Sequence, residues 1–256
     1  MKKIFYCLPL FFIINTVFAQ SLLPGKPLGD PGKILKDGLS LAYYNRDYLK
    51  TTEDFTAFDA SSKAISKKKF FQLFATGSYL PMRLSGSGNS YQLYKVSLKV
   101  RDHVWSTLAY YGKTGYAHYK MEGKEFPGLN YKDINGKVYN HENTKGKIVV
   151  IKCWFLHCQA CNEEIPALNQ VVDQYKNRKD IVFVSLAFDP EDKLKAFMKA
   201  HVFKYALVHV KESYIEKDLG TNEYPTHYLV NKRGLIAKVV GNADELSIAL
   251  KNEASK

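Results

Sequence analysis

Only four of the 256 residues are cysteine, too few to staple a chain of this size through disulfides. Beyond the first twenty residues no apolar run approaches the ~20 residues that a membrane-spanning helix needs, which excludes a polytopic membrane protein. Nothing repeats at a period of ~20–50 residues, so a solenoid is excluded too. Glycine at 16 and proline at 9 are ordinary, unlike collagen or low-complexity chains. What is present is 46% hydrophobic and 24% charged residues, the balance of one or two globular cores.

The start of the chain has its own character. Lys2 and Lys3 precede the apolar run from Ile4 to Ile14, and Val17-Phe18-Ala19 offers small residues at a cleavage position. This pattern predicts a secretory signal peptide over 1–19, cut before Gln20, with an uncleaved anchor as the alternative. The mature protein is then exported, periplasmic or otherwise extracytoplasmic, and soluble. Cys7 leaves with the signal, and Cys153, Cys158 and Cys161 remain. Crowded as they are, they would close too short a loop to constrain the unfolded chain, so local chemistry explains them better than structure.

The formal net charge of +12 is uneven: residues 20–119 carry fourteen Lys and Arg against seven Asp and Glu, including the cluster Lys63, Lys67, Lys68 and Lys69. In an exported protein, nucleic acid is not an expected partner. A solvated basic face, or peripheral proximity to an anionic membrane or acidic protein surface, is.

Two blocks differ in texture, and we divide the mature chain at 20–118 and 119–256. In the first, Asp54–Ile65 reads as extended and Ser66 as the cap of a helix through Ala75, ended by Gly77. Tyr79–Ser85 and Tyr91–Val100 read as strands, the second with Tyr94, Val96, Leu98 and Val100 on one face. Asp102 caps a helix with Val104, Leu108 and Tyr111 along one side. This is a small α+β unit with aromatics as core. Gly112-Lys-Thr-Gly115 and Gly123-Lys-Glu-Phe-Pro127 mark a linker region.

In the second block Asn135-Gly136 signals a hairpin, and Lys147–Phe155 reads as a strand buried on both faces. Helical periodicity runs from Asn162 to Tyr175, followed by a strand at Ile181–Phe188. A helix at Pro190–His201 has Asp189 as its cap. Tyr205–Val210, Tyr224–Asn231 and Leu235–Val240 are extended, and Ala243–Asn252 closes as a helix. The fold class is α/β, a central mixed sheet flanked by helices.

The chemistry sits at Trp154-Phe-Leu-His157-Cys158-Gln-Ala-Cys161. A Cys-x-x-Cys that follows a buried strand and opens a helix is a redox arrangement. Residues three apart share a helix face, so the sulfurs of Cys158 and Cys161 can reach disulfide distance. The free N–H groups and dipole of a helix start favour a thiolate at Cys158, and a protonated His157 adds to this. Cys161, one turn inside, can attack a mixed disulfide and release product. Cys153 belongs to the strand and reads as a small buried hydrophobe. Zinc would need a second Cys/His pair at ligand spacing, whereas His201, His209 and His227 are scattered singles, so no metal and no cofactor is expected. A copper relay with a distant histidine is the other metal alternative, since thiolates suit Cu(I).

Tyr224-Pro225-Thr226 is the second signal. A cis Tyr224–Pro225 bond would expose the Tyr224 backbone near the cysteines for pairing with an extended substrate, and an ordinary strand-entry proline is the alternative.

The stretch Gly146 to Pro166, with Glu164 in it, resembles the core of the TlpA/ResA-type thiol–disulfide oxidoreductases of the thioredoxin superfamily. The resemblance runs from about Phe126 to the C-terminus and includes Tyr-Pro-Thr at 224–226 and Asn-Lys-Arg-Gly at 231–234. It implies a thioredoxin-like fold and an exported enzyme that reduces disulfides in client proteins. A membrane-bound thiol donor would recharge it, in cytochrome c maturation or general periplasmic disulfide reduction. It also implies that Cys158 is the nucleophile, Cys161 the resolving thiol and Pro225 a cis-proline, with Glu164 handling the proton of the buried cysteine. Two departures concern the reduction potential: His157 replaces a tryptophan common before the first cysteine, and Gln159-Ala160 lacks a proline. The block before residue 119 has no counterpart in the minimal family domain. A thiol peroxidase on the same fold and a non-catalytic binding module with a structural disulfide are the competing readings. For the peroxidase, Phe155 stands where a Thr or Ser is usual.

Overall fold

A computed structural model describes residues 24–86, 88–97 and 102–256, so the expected signal peptide and Cys7 lie outside the described residues. The N-terminal unit begins with helices α1 (Pro31–Ile34) and α2 (Gly38–Tyr48), capped by the side chains of Asp30 and Asp37. Strands β1 (Thr56–Phe58) and β2 (Ala64–Ile65) form a hairpin. Helix α3 (Lys67–Phe74) follows, with the Ser66 hydroxyl accepting from Lys69 N–H. Then come β3 (Tyr79–Arg83), β4 (Ser90–Lys95) and the long helix α4 (Asp102–Met121). The sheet order is β2-β1-β4-β3.

Two sequence expectations are corrected here, the extent of β4 and the linker at Gly112–Gly115. In β4 it is Tyr91 and Leu93 that face the core, whereas Tyr94 lies exposed on the other face. The Tyr91 hydroxyl explains the choice: it accepts from Lys50 N–H and donates to the Tyr48 carbonyl, anchoring that ring inside. The strand ends at Lys95, and residues 98–101 lie outside the described residues. Gly112 and Gly115 are no linker but lie within α4. A Cβ on Gly112 would come within 2.4 Å of the Phe74 carbonyl oxygen, and one on Gly115 within 2.9 Å of the Phe71 ring. The two glycines therefore let α3 and α4 approach closely. The division expected between 118 and 119 falls inside the same helix.

The second unit opens with the hairpin β5 (Asn130–Lys132) and β6 (Val138–Asn140), turned at Gly136 with φ +90°, and the short helix α5 (His141–Thr144). The fully buried β7 (Ile148–Trp154) leads into α6 (Gln159–Glu163) and α7 (Ile165–Gln174). The helical stretch divides at Glu164, where Pro166 has no N–H to continue the ladder. Next come β8 (Ile181–Ala187), α8 (Glu191–Ala200), β9 (Ala206–His209) and a π-helical turn at Tyr214–Asp218. Strands β10 (Thr226–Val230) and β11 (Ile236–Val240) and helix α9 (Ala243–Ala254) complete the chain. Asp189 does not cap α8: its carboxylate accepts from Leu156 N–H at 2.8 Å, and Pro190 occupies the cap without a side-chain bond.

The sheet runs β11-β10-β7-β8-β9, with β7, β8 and β9 parallel and β10 antiparallel to both its neighbours. Residues alternate across the pleat of β7. Ile148, Val150 and Trp154 join the core beneath α7, α8 and α9, and Val149, Ile151 and Cys153 join the opposite core with Phe126, Tyr131 and Ile215. The two units meet where α4 packs on β11: Lys238 pairs with Glu122, and the Thr114 hydroxyl donates to Glu223. Among the described residues no helix is long and apolar enough to cross a membrane.

Candidate active site

The C-terminal end of β7 and the N-terminal end of β10 lie side by side, with Cys153 opposite Thr226 in register. This brings the two signals of the sequence together. The chain leaves β7 through Phe155-Leu156-His157 and re-enters helix at Cys158, the cap residue of α6. Cys158 and Cys161 are joined by a disulfide with Cα atoms 5.2 Å apart. Cys161 N–H donates to the Cys158 sulfur at 3.2 Å, so a helix-start donor is already aimed at the sulfur that would carry charge after reduction. Cys158 keeps 7% of its surface exposed and Cys161 none. An incoming thiol therefore meets Cys158 first.

The loop is braced from both sides. Leu156 N–H donates to Asp189, and the Asn162 side-chain amide donates to the Leu156 carbonyl at 2.8 Å. His157 is exposed on the tip. The Tyr224–Pro225 peptide is cis. The ring of Tyr224 meets Phe155 edge-on at 5.4 Å, and Phe155 stacks on Phe188 at 5.3 Å. These three rings make an aromatic wall beside the cysteines. Burial pushes the Tyr224 phenol up to about 12.

Below the disulfide the site is polar, which its strand sequence conceals. Lys152 is wholly buried on the Trp154 face of β7, its Nζ 2.9 Å from the Cys161 carbonyl and also bonded to Glu164 Oε1. His227, directly across from Lys152 on β10 and equally buried, places Nε2 2.9 Å from the same carboxylate oxygen. Trp154 and Phe203 lie within 5.8 Å and 6.0 Å of the Lys152 ammonium. Cys153 faces the other way, free and buried, and burial pushes its thiol far above the ordinary range. Among the described residues no group of three or more His, Cys, Asp or Glu is placed to hold a metal ion.

Over 123 residues the chain is 32% identical to the thiol-disulfide oxidoreductase ResA of Bacillus thuringiensis subsp. konkukian, covering 47% of this chain and 70% of that protein. The chain belongs to the ResA-type thiol–disulfide oxidoreductases. It is also 26% identical over 121 residues to the thioredoxin-like protein YneN of Bacillus subtilis, covering 46% of this chain and 71% of that protein. The AhpC/TSA family model matches residues 123–239. Among solved structures the chain is similar to StoA from Bacillus subtilis at 21% identity, with a TM-score of 0.41, covering 47% of this chain and 93% of that one.

The ResA-type half is thus a thioredoxin-like α/β fold, and the unit in front of it extends beyond the matched region. Sequence reasoning brought Cys158, Cys161, Glu164, His157, Trp154, Tyr224 and Pro225 to this end of the sheet. It missed Lys152, His227, Asp189 and the Phe155–Phe188 pair. The only available signal for Lys152 was a lone cation in an otherwise apolar strand, where an unpaired charge is costly.

Proposed function

We propose that the protein is an exported reductase of protein disulfides that works through a mixed disulfide. The supporting observation is the asymmetry of the pair: Cys158 is accessible at a helix start, and Cys161 is sealed behind it. In the reduced enzyme the Cys158 thiolate attacks a client disulfide, forming a bond to one client sulfur and releasing the other as a thiolate. Cys161 then attacks Cys158, closing the disulfide and freeing the client as a dithiol. A membrane-bound thiol donor returns the enzyme to its reduced state. The aromatic wall of Phe155, Phe188 and Tyr224 gives an extended client an apolar strip to lie on. Residues from about 119 onward carry this chemistry, and the basic unit before them faces the client or an anionic membrane surface.

The test is insulin reduction by dithiothreitol. The wild-type protein accelerates it, and Cys158→Ser falls to the uncatalysed rate. Hydrogen peroxide consumed faster than by free thiol would support a peroxidase instead. Failure in both assays would mean a binding module.

A further inference from the structure

Three charged or titratable side chains meet under Cys161, and thiol exchange by the two cysteines does not require them all. A buried ion pair is a poor source of stability, because desolvation consumes most of the attraction and a well-packed apolar pair serves as well. Lys152 sits among Ile148, Val150 and Trp154 on a face that would accept another apolar side chain. Its presence therefore points to a local use.

The geometry is specific. Lys152 and His227 both bond Oε1 of Glu164, whereas Oε2 is buried without a hydrogen-bond partner among the described residues. Lys152 also holds the Cys161 carbonyl, so one ammonium fixes the cysteine's backbone and the carboxylate one turn beyond it. We propose that Lys152 and His227 are positioning residues that clamp Oε1 of Glu164 and leave Oε2 to take the proton of the Cys161 thiol. This rests on the resolving role of Cys161 stated above. In that step the Cys161 S–H bond gives its proton to Oε2, and the sulfur's electron pair forms the bond to Cys158. The bond between Cys158 and the client sulfur breaks, its pair leaving on the client as a thiolate. That thiolate takes up a proton from solvent, and Glu164 returns one to solvent, so no further oxidant or reductant is needed.

The charges facing the cluster fit this use. From β7 comes Lys152, from the α6–α7 junction Glu164, from β10 His227, and from just before β9 the buried hydroxyl of Tyr205. Burial would raise Glu164, but His227 and Lys152 outweigh it and hold the carboxyl below its ordinary range. Burial lowers His227 and raises Tyr205 well above its usual value, so both are neutral near pH 7. Burial also lowers Lys152, which Glu164 opposes. The Glu164 carboxyl is thereby kept in the form that can accept one proton.

The experiment follows the two thiols separately. Reduced mature protein carrying Cys153→Ala is mixed with dithiodipyridine. The first equivalent of coloured product reports attack by Cys158, and the second reports resolution by Cys161. Lys152→Met and His227→Leu should raise the pH midpoint of the second phase, slowing it by about tenfold below that midpoint for Lys152→Met, the size expected for loss of an adjacent opposite charge. The first phase should keep its midpoint, and His227→Gln, which retains a donor, should restore most of the second. An unmoved second-phase midpoint in both variants, or equal movement of both phases, would overturn the proposal. Should Lys152→Met not fold, His227→Leu decides alone by the same criterion. Absence of a second phase in the parent protein would instead defeat the resolving role itself.

Discussion

On one face of β7, Val149, Ile151 and Cys153 pack into an apolar core; on the other, the run of Ile148, Val150 and Trp154 is interrupted by Lys152. Both faces are equally dry, yet their chemistry is opposite. The Cys153 thiol is free, and its burial holds it protonated. The cysteines at 158 and 161 lie over the face where a lysine, a glutamate and a histidine share one network. Burial alone makes a cysteine inert; a helix start and a placed charge make it reactive.

The sharpest way to break this comparison is to damage each face in turn. Glu164→Leu leaves Lys152 buried without its carboxylate and should lower the unfolding free energy by about 4 kcal/mol. Ile151→Ala opens a cavity on the opposite face and should cost about 3 kcal/mol. Urea unfolding measures both. The first loss should change with pH, whereas the second should hold constant from mildly acid to mildly basic conditions. Two equal, pH-independent losses would mean that the charge on the Lys152 face is immaterial.

A smaller effect sharpens the same contrast. Burial lowers the pKa of His227, so below the ~6.5 of an unfolded histidine the unfolded chain binds a proton that the folded protein resists. Stability is full above that value and declines as pH falls toward the lowered folded value. His227→Gln should flatten this acid-side slope in thermal melts without abolishing it, because His118 is also lowered by burial and keeps its own share. An unchanged slope would place His227 outside the titrating network.

Much of this architecture is written locally. The Cys-x-x-Cys motif, the strand before it and the Asn135-Gly136 turn each depend on neighbours within a few residues, and those readings meet the structure closely. What escaped depends on distant pairing. His227 looked like a scattered single because its carboxylate partner lies 63 residues away, and only the β7–β10 register joins them. Lys152 was absorbed into an apolar run because its partners, the Cys161 carbonyl and Glu164, lie nine and twelve residues on, past the turn from β7 into α6. Gly112 and Gly115 read as a linker because glycine's usual signal is a turn, and here its small size serves close packing against α3. Which face of β4 turns inward was not legible, because hydrogen bonds to the Tyr91 hydroxyl, which alternation alone does not encode, fix which tyrosine is buried.

The central claim is that Cys158 bonds to the client and Cys161 releases it. Cys161→Ser, incubated with a disulfide-containing protein such as insulin and analysed by mass spectrometry, tests it most directly. The account predicts a covalent adduct linked through Cys158, released by dithiothreitol and absent when Cys158 is also replaced by serine. No adduct, or one linked through Cys153, would contradict it.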